Sequence, residues 1–278
     1  MSTAAPVAVT DLRQAALACC VVHDVDVEPR DDGVVLDDGL LVGWPELLVA
    51  LGGARPSTDE GRARVAGWLL LRRLLHRHDA EALRARLRPQ AFWVQDPWHP
   101  GMDWTRSRVL GDVLDLGPAF VGLDPDRPDD VLAVPQAVLV AAGVADDVDR
   151  WWVEALDHLA HAGRLAAERF VRRPEDLRPV GSCDVLTLLA SGALRRALVA
   201  GVRGGLRAVA VPDRTRGWTD LRRVDPAYVR AVALVVGEDR RGLPRPVLVA
   251  AEEVALAADG GHHVDLRDPA PRGADNPR

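Results

Sequence analysis

The sequence predicts an α+β protein, helix-rich, with a small N-terminal β-meander and a mixed C-terminal α/β part. Three observations predict it. Apolar residues recur at helical spacing through most long segments, and near Asp24 the period switches to two. The strand-like runs are scattered among the helices instead of alternating with them one for one, which disfavours a regular doubly wound sheet.

The elements follow in order. Thr10 or Asp11 can cap a short Ala- and Leu-rich helix through Val22. Asp24, Asp26 and Glu28 alternate with Val25 and Val27, which is strand spacing, and two Asp-Asp-Gly turns predict a meander through Trp44. Pro45 starts a short helix that Gly52-Gly53 stops. Ser57 to Glu60 reads as a capping box opening a helix to His78, and Asp79 can cap another to Arg88. Between Pro89 and Gly111 periodicity disappears, and Pro89, Pro97, Pro100 and Gly101 forbid a long helix. Extended runs follow at Val113–Val121 and Val131–Val134, then a helix from Gln136 to Ala142. Asp147 to Arg173 carries the clearest helical stripe, from Val148 to Phe170. Ser182 can cap a helix over Cys183–Ala200. A strand at Leu206–Val211, a helix at Pro226–Val236 and a strand at Pro246–Ala257 complete the pattern. The organisation expected is 1–88, an aromatic junction at 89–111, 112–258, and a polar, disordered tail at 259–278.

Composition excludes more than it assigns. None of the 278 residues is lysine, so all 35 cationic side chains are arginine. Schiff-base enzymes, phosphate-loop NTPases, ordinary kinases and Ser-Lys acylases all need the missing amine. Isoleucine is absent too, and the pair of absences reads as a GC-rich bacterial genome. Net charge is −6, which argues against a polycation seeking nucleic acid. The charge is uneven, however: Arg195 to Pro246 holds twelve arginines against five acids. Three cysteines without a C-x-x-C give neither a disulfide framework nor a zinc ribbon. Met1 to Thr10 has no basic stretch followed by an apolar run, and no membrane-spanning length of apolar residues occurs, so a cytoplasmic setting without membrane contact is expected.

Two segments carry most of the candidate chemistry. Phe92 to Trp104 holds three of the eight tryptophans. Trp98 and Trp104 can stack on ligands, and His99, flanked by Asp96 and Asp103, has the residue types for proton transfer. The alternative is that the tryptophans plug a seam. Residues 212–223 follow an expected buried strand, where Arg214 and Arg216 can grip an anion beside Trp218. The alternative is a solvated loop paired with Asp213 and Asp220. Cys183 at an expected helix N-terminus invites a lowered thiol pKa, against which Asp184 works. Glu154, Asp157, His158 and His161 resemble metal ligands, but they lie on or beside a stripe of alternating charge that reads as solvated. Asp24, Asp26 and Glu28 lack the rest of a calcium loop, and no metal is expected.

The leading expectation is a binding or interaction protein that uses residues 92–104 and 212–223 as one surface, with an anionic small molecule or a protein as partner. A lysine-independent enzyme, with His99 as acid/base on a small anionic substrate, is the alternative. Nucleic-acid binding through 195–246 is the second alternative. No cofactor motif is present.

Overall fold

The Ala- and Leu-rich start forms helix α1 (Val9–Val22), which buries Leu12, Ala15, Ala16, Cys19 and Cys20. In this computed structural model, residues 9–96, 99–101, 103–109 and 113–256 are described. Asp24 then takes a φ of 52°, a left-handed conformation that short polar side chains tolerate. Strand pairing is thereby delayed, so the acidic strand expected from Asp24 begins only at Val27. β1 (Val27–Pro29), β2 (Gly33–Leu36) and β3 (Leu41–Gly43) form an antiparallel meander in chain order. α2 (Trp44–Leu51) has Pro45 in its first turn and ends at left-handed Gly52.

α3 (Asp59–His76) is capped one residue later than expected. The Thr58 hydroxyl, not Ser57, accepts from the Gly61 N–H at 3.1 Å. Asp79 caps α4 (Ala80–Arg86) by accepting from the Ala82 N–H at 2.7 Å.

The stretch expected to be irregular opens as a strand. β4 (Leu87–Trp93), β5 (Ser107–Val109), β6 (Leu114–Val121) and β7 (Val131–Leu132) make the second sheet. β6 pairs with β4 along seven positions, while its other edge is shared by β5 near the start and β7 near the end. Pro89 lies directly opposite Pro118. Two residues without N–H groups can face each other only where a ladder exchanges no bonds, so prolines that forbid a helix are tolerated in this strand. At that position the Pro118 carbonyl points away from β4, into the gap between β5 and β7. Trp104 fills the gap and donates its indole N–H to that carbonyl at 2.7 Å. Gly117 makes room, since a Cβ there would overlap the Trp104 ring.

α5 (Gln136–Ala141) leads into the 28-residue α6 (Ala145–Arg172), and β8 (Asp176–Leu177) follows. The single helix expected over Cys183–Ala200 is two, α7 (Val185–Leu188) and α8 (Gly192–Val199). The cap of α7 is Asp184, not Ser182, and it accepts from the Thr187 N–H at 2.7 Å. At the break Ser191 sits against Gly163 of α6, where any side chain would collide with it. β9 (Arg207–Asp213) and β10 (Arg216–Trp218) form a hairpin, so residues expected as a loop are partly strand. α9 (Pro226–Val235) is capped by Asp225. The final expected strand is also a hairpin, β11 (Val247–Val249) and β12 (Val254–Leu256), turning where the Ala250 N–H donates to the Glu253 carbonyl at 2.8 Å. The third sheet runs β12-β11-β9-β10-β8, antiparallel throughout.

The architecture is therefore α+β, with small antiparallel sheets among helices. Two large apolar clusters form its interior. One joins α1, the meander, α2 and α3 to Phe120, Val138 and the first half of α6. The other joins the second half of α6 to α7, α8 and the third sheet. The expected tail at 259–278 lies outside the described residues, as does Trp98.

Candidate functional site

The two segments singled out in the sequence meet at one ring. The Arg214 guanidinium lies 4.9 Å from the Phe92 ring centre, and Phe92 meets His99 at 6.2 Å and Trp104 at 5.2 Å. The meeting is internal. Arg214 is buried, donates to Asp184 at 2.6 Å and to the Ala91 carbonyl at 2.9 Å, and so spends its charge on the fold. Gln90 donates to the same Asp184 oxygen at 2.9 Å. Trp104 is 2 % exposed, with its N–H already committed, and presents no open stacking face.

His99 is held at both ring nitrogens. The Gly101 N–H donates to Nδ1 at 3.1 Å, which places the proton on Nε2, and Nε2 donates to Asp115 at 3.1 Å. Arg106 donates to the same carboxylate oxygen at 2.7 Å. Sequence reasoning did not single out Asp115. Its signal was available: one acid inside the apolar run Leu114–Val121 marks a buried pair. Asp96 and Asp103 contribute backbone carbonyls, to the N–H groups of His99 and Gln136.

Cys183 is fully buried, and burial, with the Asp184 charge added, pushes its thiol up to about 11. It is a packing residue. Its exposed neighbour Ser182 lies 3.3 Å from His158 Nε2. Burial, helped by the positive charge of Arg88, lowers the His158 pKa. Glu154 pairs with Arg84, Asp147 with Arg150 and Glu168 with Arg172, so the charged stripe of α6 is a surface face. Among the described residues, no group of three His, Cys, Asp or Glu is placed to hold a metal ion. Nor is any helix long and apolar enough to cross a membrane.

Arg216 and Trp218 lead to a different place. Arg216 donates to Asp176 at 3.1 Å, and Arg178 donates to the other oxygen of that carboxylate at 2.7 Å. Burial pushes the Asp176 carboxyl up, but the two guanidiniums outweigh it and hold the pKa below the carboxylate range. Trp218 is 6 % exposed, with Arg216 and Arg223 over its ring at 5.4 and 5.7 Å, so it braces the arginines.

Asp176 lies on the rim of a cavity of about 430 Å³ between the end of α6, β8, α7 and α8. Its floor is apolar: Ala166, Phe170, Leu177, Val185, Leu188 and Leu194. Its rim carries Arg169, Arg172, Arg173 and Arg178 against one carboxylate, Asp176. Arg169 is spent on a neutral acceptor, the Pro179 carbonyl, and the Arg173 side chain forms no ion pair among the described residues. The stretch Arg169–Arg178 escaped sequence reasoning because its arginines read as the polar face and end of a helix. A local count of four arginines against two acids would have flagged it. Compared with protein-family models, with curated proteins and with solved structures, the chain matches none.

Proposed function

We propose that the chain is a binding protein for a small organic anion, held in the arginine-rimmed cavity between α6, β8, α7 and α8. The uncompensated charge on that rim carries this reading. Arg178 and Arg216 share Asp176, whereas Arg169 and Arg173 have no carboxylate partner among the described residues. The C-terminal end of α6 contributes about half a negative charge, too little to cancel two guanidiniums. The volume, about 430 Å³, suits a small ligand. Of the expected loop residues, Arg216 supports this site by fixing Asp176; Arg214 and Trp104 support the fold around it.

The enzyme reading draws less support, because both His99 nitrogens are already engaged. Nucleic-acid binding draws less as well. Within the basic segment Arg195 and Arg214 are buried, while Arg223 and Arg240 pair with Asp220 and Asp213.

The test is titration of the full chain with sulfate, phosphate, acetate, benzoate and octanoate, observed at the arginine side-chain N–H resonances by NMR. At least one anion is expected to shift Arg169, Arg172, Arg173 or Arg178 saturably. Arg173→Gln, which breaks no ion pair, should weaken that binding roughly fivefold. If no anion moves those resonances, the reading fails.

A further inference from the structure

We infer that the ligand of this cavity is an amphipathic anion, one anionic head on an unbranched or aromatic apolar body. The inference rests on the anion-binding reading above and goes further by assigning the body as well as the head. The rim and the floor differ in kind. The cationic groups of the lining, Arg169, Arg172, Arg173 and Arg178, are on exposed residues, whereas its apolar residues are buried. The floor offers no side-chain hydrogen-bonding group; it is built from Ala166, Phe170, Leu177, Val185, Leu188 and Leu194. A sugar phosphate or nucleotide would have to leave hydroxyls or base edges unpaired against that floor, which is costly. A methylene chain or phenyl ring loses nothing there. Phe170 is held in place, since Arg207 lies over its ring at 5.4 Å, so the floor is formed before a ligand arrives. Asp176, pinned by Arg178 and Arg216, turns a second ionic group away from one side of the mouth, which favours a single head.

Calorimetric titration of the full chain separates the possibilities, with acetate, octanoate, octanol, inorganic phosphate and vesicles of an anionic phospholipid as probes. Each buried methylene contributes about fourfold in affinity, so three buried methylenes place octanoate roughly sixtyfold tighter than acetate. Octanol is expected to bind far more weakly than octanoate, and Arg173→Gln to weaken octanoate without unfolding the chain. Ala166→Met, which fills the floor, should abolish the preference for octanoate over acetate. Arg173→Gln keeps the test decisive if Ala166→Met does not fold. Equal affinity for acetate, phosphate and octanoate overturns the amphipathic ligand but leaves anion binding standing. Octanol binding as tightly as octanoate overturns the role of the arginines, and with it both readings. Binding to vesicles without octanoate binding points to a membrane surface and overturns the cavity as the site. Silence from every probe overturns both readings.

Discussion

Arg214 and Arg173 carry the same guanidinium into opposite surroundings. Arg214 is buried among Asp184, the Ala91 carbonyl 123 positions away, and the Phe92 ring. Its sequence neighbourhood, Pro-Asp-Arg-Thr-Arg-Gly, reads as an exposed turn, because nothing local announces that β4 and the cap of α7 will close over it. Arg173, at the end of a charged helix, reads as solvated and stays exposed, without an ion pair among the described residues. Partners decide this, and partners distant in the chain are not legible from spacing. His158 makes the same point with a measurable consequence. Burial, then the charges of Arg88 and His161, lower its pKa from 6.5. The folded chain thus binds this proton less readily than the unfolded chain does. The stability held by the neutral ring is complete above pH 6.5 and lost as pH falls through the folded pKa. Urea melts from neutral pH down to about 5 should show His158→Gln with a flatter decline than the wild type. Parallel curves would mean that His158 titrates as it does in the unfolded chain.

Elements were far more legible than partners. The α6 stripe, the Asp79 cap, and the Pro45 start with its Gly52 stop all express local chemistry, and local chemistry is what a sequence displays. Two of the misread elements share one cause, which is tertiary contact overriding local pattern. Paired prolines fit β4 because β6 supplies a wide position opposite them. Where one expected helix becomes two, Ser191 is pressed against α6 at Gly163. Gly163→Ala is accordingly expected to cost about 1–3 kcal/mol by overpacking. Ser191→Gly in the same chain removes the hydroxyl and Cβ that the new methyl would strike, leaving the Ser191 Cα at an ordinary 3.8 Å. Chemical denaturation of the two single variants and the double variant reads the coupling directly. Most of the Gly163→Ala loss should return in the double variant. Additive losses would show that the α7–α8 break has another origin.

Among the described residues two large apolar clusters fill the interior, and three elements run through both. α6 buries Val148 and Ala155 in the first cluster and Leu159, Ala162, Ala166 and Phe170 in the second, over about 33 Å of helix at 1.5 Å per residue. β4 gives Leu87 to the first and Ala91 to the second; β6 gives Phe120 to the first and Leu114 and Leu116 to the second. Trp152 packs against both. Losing one cluster would strip half of the α6 stripe and unpair the longest ladder in the molecule, so neither has much to gain by opening alone. The chain is therefore expected to unfold as one unit, with α3 and β9 amides sharing one free energy of global exchange. Ala155→Pro tests the linkage at its centre. It lies mid-helix, where proline removes a backbone bond and costs about 3 kcal/mol or more. Hydrogen exchange should then show protection falling by the same amount in α3 and in β9. A loss confined to one of them would show that the cavity and its arginines sit on a unit that folds by itself. Ligand binding there would then stabilise that half alone, and the melting of α3 would be blind to octanoate.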